Sequence, residues 1–128
     1  MSNFEIYSYQ DLCNERYTGI AWNVYYEYGR DDEWWGHSGE YADELDAWFK
    51  DLNEAKAFAD TYCENNTLED MLYNSPYDEG ARSIMLNIEE CYWNDGTYDL
   101  GNETFFVRYD KDEAGNVEMV ENVLGVKN

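Results

Sequence analysis

The alternation of hydrophobic and polar positions predicts strands in the first third of the chain. Residues 4–9 alternate over a short stretch, and residues 20–28 alternate more regularly. The apolar face of the second stretch consists of Trp22, Val24, Tyr26 and Tyr28. The Gly-Arg-Asp-Asp sequence at 29–32 predicts a turn, so a return strand is expected to begin at 33–35.

The helical period appears in the middle of the chain. At residues 51–65, Asp51 is a suitable N-cap and Glu54, three positions later, completes a capping-box pattern. Apolar residues then recur at helical spacing, at Leu52, Ala55, Phe58, Ala59 and Tyr62. A helix of about three turns is therefore predicted, followed by a shorter helix at 68–73. Residues 41–49 fit either a helix or a strand.

The last third of the chain predicts an antiparallel meander. Residues 83–92, 104–109 and 117–123 alternate as strands, and Asn94-Asp95-Gly96 is a strong hairpin signal between the first two. In the first strand, Ile84, Leu86 and Ile88 occupy one face, and Asn87 and Glu89 the other. We therefore expect the α+β class: an antiparallel β-sheet with a C-terminal meander, packed by one or two α-helices, in a single acidic domain over residues 1–128.

Composition indicates a core built from aromatic rings. Leu, Ile, Val and Phe together make up less than a fifth of the chain, a level typical of disordered chains when the charge is high. The 13 Tyr and 5 Trp residues supply the large apolar area that disordered chains lack. We therefore expect a folded domain whose rings form the core and its half-buried rim.

The charge of the chain restricts its partners. With 29 Asp and Glu against 8 Lys and Arg, the formal net charge is −21. Nucleic acid and anionic membranes are excluded as direct partners because both would be repelled, whereas basic protein surfaces and metal cations fit. The cysteines Cys13, Cys63 and Cys91 form no CxxC pattern. Together with the lack of a recognisable targeting segment, this predicts a reducing, cytoplasmic setting.

Recognisable catalytic motifs do not occur in the sequence. His37 is the only histidine, and there is no nucleophile elbow, phosphate-binding loop, dinucleotide fingerprint or zinc-ligand spacing. Carboxylate pairs such as Glu89-Glu90 are used in glycoside hydrolysis, but 29 acids produce such pairs by chance. A protein that is not an enzyme and holds no cofactor is therefore expected.

One segment has partial metal-ligand spacing. Positions 1, 3, 6, 9 and 12 of an EF-hand-like loop are matched by Asp110, Asp112, Gly115, Glu118 and Glu121. Ala114 stands at position 5, where a ligand oxygen is needed, and the flanking residues predict strands. The favoured interpretation is a polar hairpin turn with Gly115 or Asn116 at positive φ. A Ca²⁺ site formed by Asp110, Asp112, Glu118 and Glu121 is the alternative.

The carboxylates cluster with few bases between them. The first acidic group consists of Glu27, Asp31, Asp32, Glu33, Glu40, Asp43, Glu44 and Asp46, beside Trp34 and Trp35; the second acidic group consists of Glu89, Glu90, Asp95, Asp99 and Glu103. On a strand, alternate residues would place carboxylates about 6–7 Å apart on one face, comparable to successive phosphates of a nucleic-acid strand. Solubility alone needs a net charge of only roughly 2–8. Both groups are therefore candidate partner-binding sites.

Residues 5–22 resemble the ArdA antirestriction family, whose N-terminal domain opens with a strand and a Tyr-Asn-Glu-Gly stretch leading to Gly-x-Trp. Here EIYSY is followed by Asn14-Glu15 and by the Gly19-Ile-Ala-Trp22 sequence, with Cys13 and Arg16 replacing the family's Tyr and Gly. The resemblance implies a DNA mimic of a phage or mobile element, acting as a dimer with acids along an elongated surface.

The sequence therefore predicts a nucleic-acid-mimicking inhibitor in the cytoplasm of a bacterial host cell. Its expected partner is the basic DNA or RNA groove of a host defence nuclease, a CRISPR effector or a restriction enzyme, and a homodimer is possible. Two alternatives remain. One is an acidic immunity protein that neutralises a toxin nuclease. The other is a Ca²⁺-binding or carbohydrate-binding module that uses residues 110–121 or the Trp34-Trp35 pair.

Overall fold

A computed structural model describes residues 5–31, 33–37, 45–65, 68–73 and 80–125. In these ranges the helices are α1 (Tyr9–Glu15), α2 (Leu52–Asn65) and α3 (Leu68–Tyr73). The strands are β1 (Ile20–Arg30), β2 (Glu33–His37), β3 (Ala47–Phe49), β4 (Ser83–Asn94), β5 (Thr97–Lys111) and β6 (Val117–Asn122). The predicted α+β class is confirmed.

The strands form one antiparallel sheet in the order β2-β1-β4-β5-β6. β3 also pairs with β1, alongside residues 22–24, whereas β2 pairs with residues 26–30. The β1–β4 register runs from Ile20 opposite Tyr92 to Gly29 opposite Ser83. The β4–β5 hairpin extends beyond β1, and β4, β5 and β6 form the predicted C-terminal meander.

One face of the sheet, the helix face, carries the main core. The buried strand residues Val24, Tyr28, Ile84, Leu86, Ile88, Val107 and Tyr109 pack there against Ala55, Ala59 and Cys63 of α2 and Leu68 and Leu72 of α3. The helical stripe predicted for α2 is confirmed, and the amide of Glu54 donates to Asp51 Oδ2 at 3.0 Å, as the cap requires. α2 begins and ends where predicted, and its 14 residues form about four turns rather than three.

The opposite face, the open face, is covered at one end by α1. Leu12 of α1 is fully buried in a second cluster with Ala21, Trp48 and Cys91. Burying a side chain of this size stabilises a fold by about 1.5–3 kcal/mol. Beyond this cluster the open face includes the polar side chains of Asn23 and Glu27 on β1, because alternate residues of a strand point to the same face.

The predicted strand at residues 4–9 is wrong over the residues that the structure describes. Tyr7 makes an isolated bridge to Trp48, and Tyr9 already begins α1. Ser8 caps this helix: its Oγ accepts from the amide of Asp11 at 3.0 Å, and its own amide donates to Asp11 Oδ2 at 3.1 Å. This capping box outweighs an alternation of only a few residues. Within the described residues the helices number three rather than one or two.

The predicted turns are confirmed. Asp95 and Gly96, at φ 49° and 103°, join β4 to β5, as a type I′ hairpin turn requires. Residues 41–49, which fit either a helix or a strand, contain the short strand Ala47–Phe49. Residues 41–44 of this interval lie outside the described residues. In the described ranges, none of the helices is long and apolar enough to cross a bilayer.

Candidate partner-binding surface

The members of the first acidic group that the structure describes do not converge. Asp31 lies in the β1–β2 turn, Glu27 on the open face and Glu33 on the other face, as the β1–β2 register places them. Asp46 precedes β3, where its Oδ1 accepts from the amide of Tyr9 at 3.1 Å. Outside the described residues lie Asp32, Glu40, Asp43 and Glu44.

The tryptophan pair predicted beside this group is divided by the alternation of β2. Trp34 lies on the open face, where its ring covers Gly29 so closely that a Cβ at that glycine would overlap it. The guanidinium carbon of Arg108 is 5.2 Å from the centre of a Trp34 ring. Trp34 therefore packs against the Arg108 cation and not against the carboxylates of the first acidic group. The backbone of Trp35 pairs with Tyr28, and its side chain is outside the description.

The second acidic group lies on the part of the β4–β5 hairpin nearest its turn. We define the distal arm as residues 89–104 of β4 and β5. The whole sequence between Arg82 and Arg108 contains no Lys, Arg or His. No basic side chain of the arm itself therefore neutralises its carboxylates.

The distal arm is held against the body of the protein by rings on its open-face side. Tyr98 lies 5.2 Å from Trp93 and 5.7 Å from Trp48, measured between ring centroids. The Tyr98 hydroxyl lies 2.7 Å from the carbonyl of Tyr17 and 3.2 Å from that of Leu12, at and just after the end of α1. These contacts hold the arm in place. They could not be predicted from a local pattern, because Tyr98 is distant from α1 along the chain.

The other side of the arm displays carboxylates and exposed apolar groups together. Glu90 is paired with Trp22 and Asp99 with Tyr92, so Glu90, Tyr92 and Asp99 point to the same face. Tyr92 is 43% exposed, and Ile20 beside it is 42% exposed. Sequence reasoning missed these two residues, which place apolar area of the kind that anchors interfaces next to the acids.

Neutral donors orient the carboxylates of the arm. Asp99 accepts from Asn94 Nδ2 at 2.6 Å and from Thr97 Oγ1 at 3.2 Å. Glu90 Oε1 accepts from the amide of Asn102 at 2.7 Å, where β5 bulges. These donors position each carboxylate without bringing a cation to it. Glu103 and Asp95 are exposed at the bulge and at the turn.

Glu89 is the member of the second acidic group that does not share this display. It points to the open face, where it accepts from the Tyr25 hydroxyl at 2.5 Å. Burial, followed by the Glu89 carboxylate, raises the pKa of Tyr25. Asn87, which lies as predicted on the face opposite Ile84, Leu86 and Ile88, is only 2% exposed and donates to Glu27 Oε2 at 3.1 Å. Burial raises the pKa of Glu27, and this hydrogen bond opposes the shift.

The segment with EF-hand-like spacing is a hairpin turn. Gly115 has φ 87°, and Asp112 Oδ1 accepts from the amides of Ala114 and Asn116, both at 2.9 Å. Asp110 pairs with Arg108 at 2.8 Å. Within the described part of the chain, no three His, Cys, Asp or Glu side chains are placed to hold a metal ion. The turn interpretation is confirmed.

Comparison with family models, curated proteins and solved structures finds no match to this chain. The resemblance of residues 5–22 to the ArdA family therefore stays a prediction. In that segment the structure has α1 where the resemblance implies that a strand comes first. Function is consequently argued from the geometry of the distal arm.

Proposed function

We propose that this protein is a nucleic-acid-mimicking inhibitor whose distal arm occupies the basic groove of a defence nuclease, a CRISPR effector or a restriction enzyme. The observation that supports this most is a fixed hairpin that carries carboxylates and no cation over the whole interval between Arg82 and Arg108. Because the arm is already ordered by its ring contacts, it loses little further conformational entropy on binding.

The spacing of the carboxylates suits a groove that binds phosphates. Glu90 and Asp99 lie on adjacent strands with an offset of two residues, about 8 Å apart by strand geometry, and Asp95 lies beyond them in the turn. A Lys- and Arg-rich groove would release its own anions on accepting such an array, as occurs with real nucleic acid. Tyr92 and Ile20 supply apolar contact beside the charges.

The test is competition with nucleic acid. The protein is used to capture nucleases from cells carrying CRISPR and restriction systems, and each captured nuclease is then titrated with labelled DNA while anisotropy is recorded. We expect the protein to displace the DNA, and the displacement to weaken steeply between about 50 and 200 mM salt.

A matched pair of triple variants locates the contact. Asp95→Asn, Asp99→Asn and Glu103→Gln together should abolish the displacement of DNA. The control replaces the exposed carboxylates of Glu64, Glu69 and Glu113 with amides, which removes the same charge elsewhere and should leave displacement intact. Equal losses in both variants, or no displacement from any captured nuclease, would refute the proposal. Displacement from a toxin nuclease alone would indicate an immunity protein.

A further inference from the structure

A cavity of about 250 Å³ lies at the end of the sheet opposite the distal arm. It is formed where β1, β4 and β5 end or begin beside β2, and we call it the cationic cavity. Half of the chain's eight Lys and Arg residues line it: Arg30, Arg82, Arg108 and Lys111. Two carboxylates, Asp31 and Asp110, also line it. The lining therefore has more cations than anions in a chain of net charge −21.

Backbone hydrogen bonds bring these cations together from distant parts of the sequence. The amide of Arg82 donates to the carbonyl of Gly29 at 2.7 Å, which places Arg82 beside the end of β1. The amide of Lys111 donates to the carbonyl of Arg82 at 2.8 Å, which places the end of β5 on its other side. The cavity is thus fixed by the pairing of three strands.

Arg108 is the most firmly held of the four cations. Its Nε donates to Asp110 Oδ1 at 2.8 Å, and Ser83 Oγ donates to the same oxygen at 2.7 Å. The Trp34 ring lies against its guanidinium group. Nη2 of Arg108 also donates to Ser83 Oγ and to Asp110 Oδ2, both at 3.4 Å. A guanidinium has five N–H donors, and the two on Nη1 make none of these contacts. Trp34 adds a flat apolar wall to the cavity.

The size and charge of the cavity select one chemistry. Cations that share one small cavity repel each other, and two carboxylates offset only half of their formal charge. An arginine guanidinium can donate two parallel hydrogen bonds to two oxygens of one phosphate or carboxylate group. Arginine is therefore over-represented at sites that bind these groups. The volume lies just below the range of about 300–1,000 Å³ typical of small-molecule sites. We propose that the cationic cavity binds a phosphate group, as inorganic phosphate or as the phosphomonoester of a small molecule.

This site is independent of the proposed function. It shares no residue with the distal arm, whose first residue, Glu89, lies six positions along β4 from Ser83, about 20 Å by strand geometry. Loss of one activity therefore carries no implication for the other.

The test titrates the full chain with inorganic phosphate and, separately, with glycerol phosphate, while sodium chloride holds the ionic strength constant. Chemical-shift changes of the backbone amides and of the Trp34 indole are followed by NMR. We expect saturation below about 20 mM, a concentration that nearly fills a site of millimolar affinity. The shifts should be confined to the cavity. Tighter binding of the ester would show that Trp34 contacts its organic part, and equal binding that phosphate alone is recognised.

Two variants with matched charge changes complete the test. Arg82→Gln with Lys111→Gln should weaken phosphate binding by at least about tenfold, since two of the four cations are removed. Lys56→Gln with Lys50→Gln is the control, because both lysines lie elsewhere, over the rings of Phe105 and Tyr7. The control should bind phosphate within about twofold of the natural chain. Absence of saturation, equal weakening in both variants, or the same shifts with chloride alone would overturn the proposal.

Discussion

The two ends of the β4–β5 hairpin present opposite charge, although one pair of strands forms both. The distal arm carries acids and no base, whereas the cationic cavity gathers half of the chain's Lys and Arg residues. By strand geometry the arm begins about 20 Å from the cavity and its turn lies about 35 Å away, and both distances exceed the Debye length of about 8 Å at physiological salt. Each end therefore presents its own sign to a partner, despite the net charge of −21.

Two aspartates show how this difference is built. Asp110, at the cavity, is held by Arg108, so its charge is cancelled within the protein. Asp99, on the arm, is held by the neutral side chains of Asn94 and Thr97, so its charge remains available. Both carboxylates are positioned by hydrogen bonds, and the difference lies in the charge of the donor. Residue counts alone cannot reveal that difference.

The largest expected effect is on competition with DNA, when the charge of the distal arm is reversed and that of the cavity is not. Asp99→Lys with Glu103→Lys should weaken competition with DNA by on the order of 100-fold, because attraction to a basic groove becomes repulsion at two points. Arg82→Glu with Lys111→Glu, at the cavity, should change it by less than about threefold. Anisotropy competition at fixed salt measures both. A comparable loss from the cavity variant would contradict the assignment of the partner surface to the arm.

The elements that the sequence predicted correctly are those whose signals are local. The cap at Asp51 and the helical stripe after it identify α2, and the Asn94-Asp95-Gly96 turn identifies the β4–β5 hairpin, because each signal lies within the element it predicts. Residues 4–9 were misassigned because a weak alternation overlapped the Ser8 capping box. β3 stayed ambiguous because three residues are too few to establish a period.

The candidate sites were harder to predict because they depend on register. Glu27 and Glu33 are close in sequence but lie on opposite faces of the sheet. Only the register of the β1–β2 pairing determines these faces. The cationic cavity combines positions 30, 82, 108 and 111, none of which carries a motif. The second acidic group was predictable in large part because a hairpin keeps residues that are close in sequence close in space.

The second prediction concerns the free energy of unfolding and compares a leucine of the core with a leucine of the arm. Leu86 is fully buried on the helix face, so Leu86→Ala should lower the free energy of unfolding by about 2–5 kcal/mol. Leu100 on the arm is 65% exposed, so Leu100→Ala should change it by less than about 0.5 kcal/mol. Urea unfolding followed by tryptophan fluorescence measures both. Similar losses would mean that Leu100 on the arm contributes to stability as much as Leu86 on the helix face does.

A smaller effect should show what fixes the arm. Tyr98→Phe removes the hydroxyl that bonds to the carbonyls of Tyr17 and Leu12, which should cost about 1 kcal/mol. Amide hydrogen exchange should accelerate in residues 89–104 more than around Arg108. Tyr92→Phe, at an exposed ring, is the control and should leave exchange unchanged. Uniform acceleration along β4 and β5 would indicate that the arm is not anchored separately by α1.

The smallest effect should come from Glu27, which lies on the open face between the two ends. Burial, and to a lesser extent the Glu89 carboxylate, raises the pKa of Glu27 above its ordinary value of 4.5. The folded state therefore binds this proton more tightly than the unfolded state, and stability is lost as the pH rises from 4.5 through the folded pKa.

Glu27→Gln imitates the protonated form, and its carbonyl can still accept from Asn87. The variant should exceed the natural chain in stability at pH 7 by only a few tenths of a kcal/mol, because the side chain is half exposed and screened. This advantage should vanish below about pH 4. Thermal melts at both pH values, with the exposed Glu33→Gln as control, measure it. An advantage that persists in acid would show that ionisation of Glu27 is not its source.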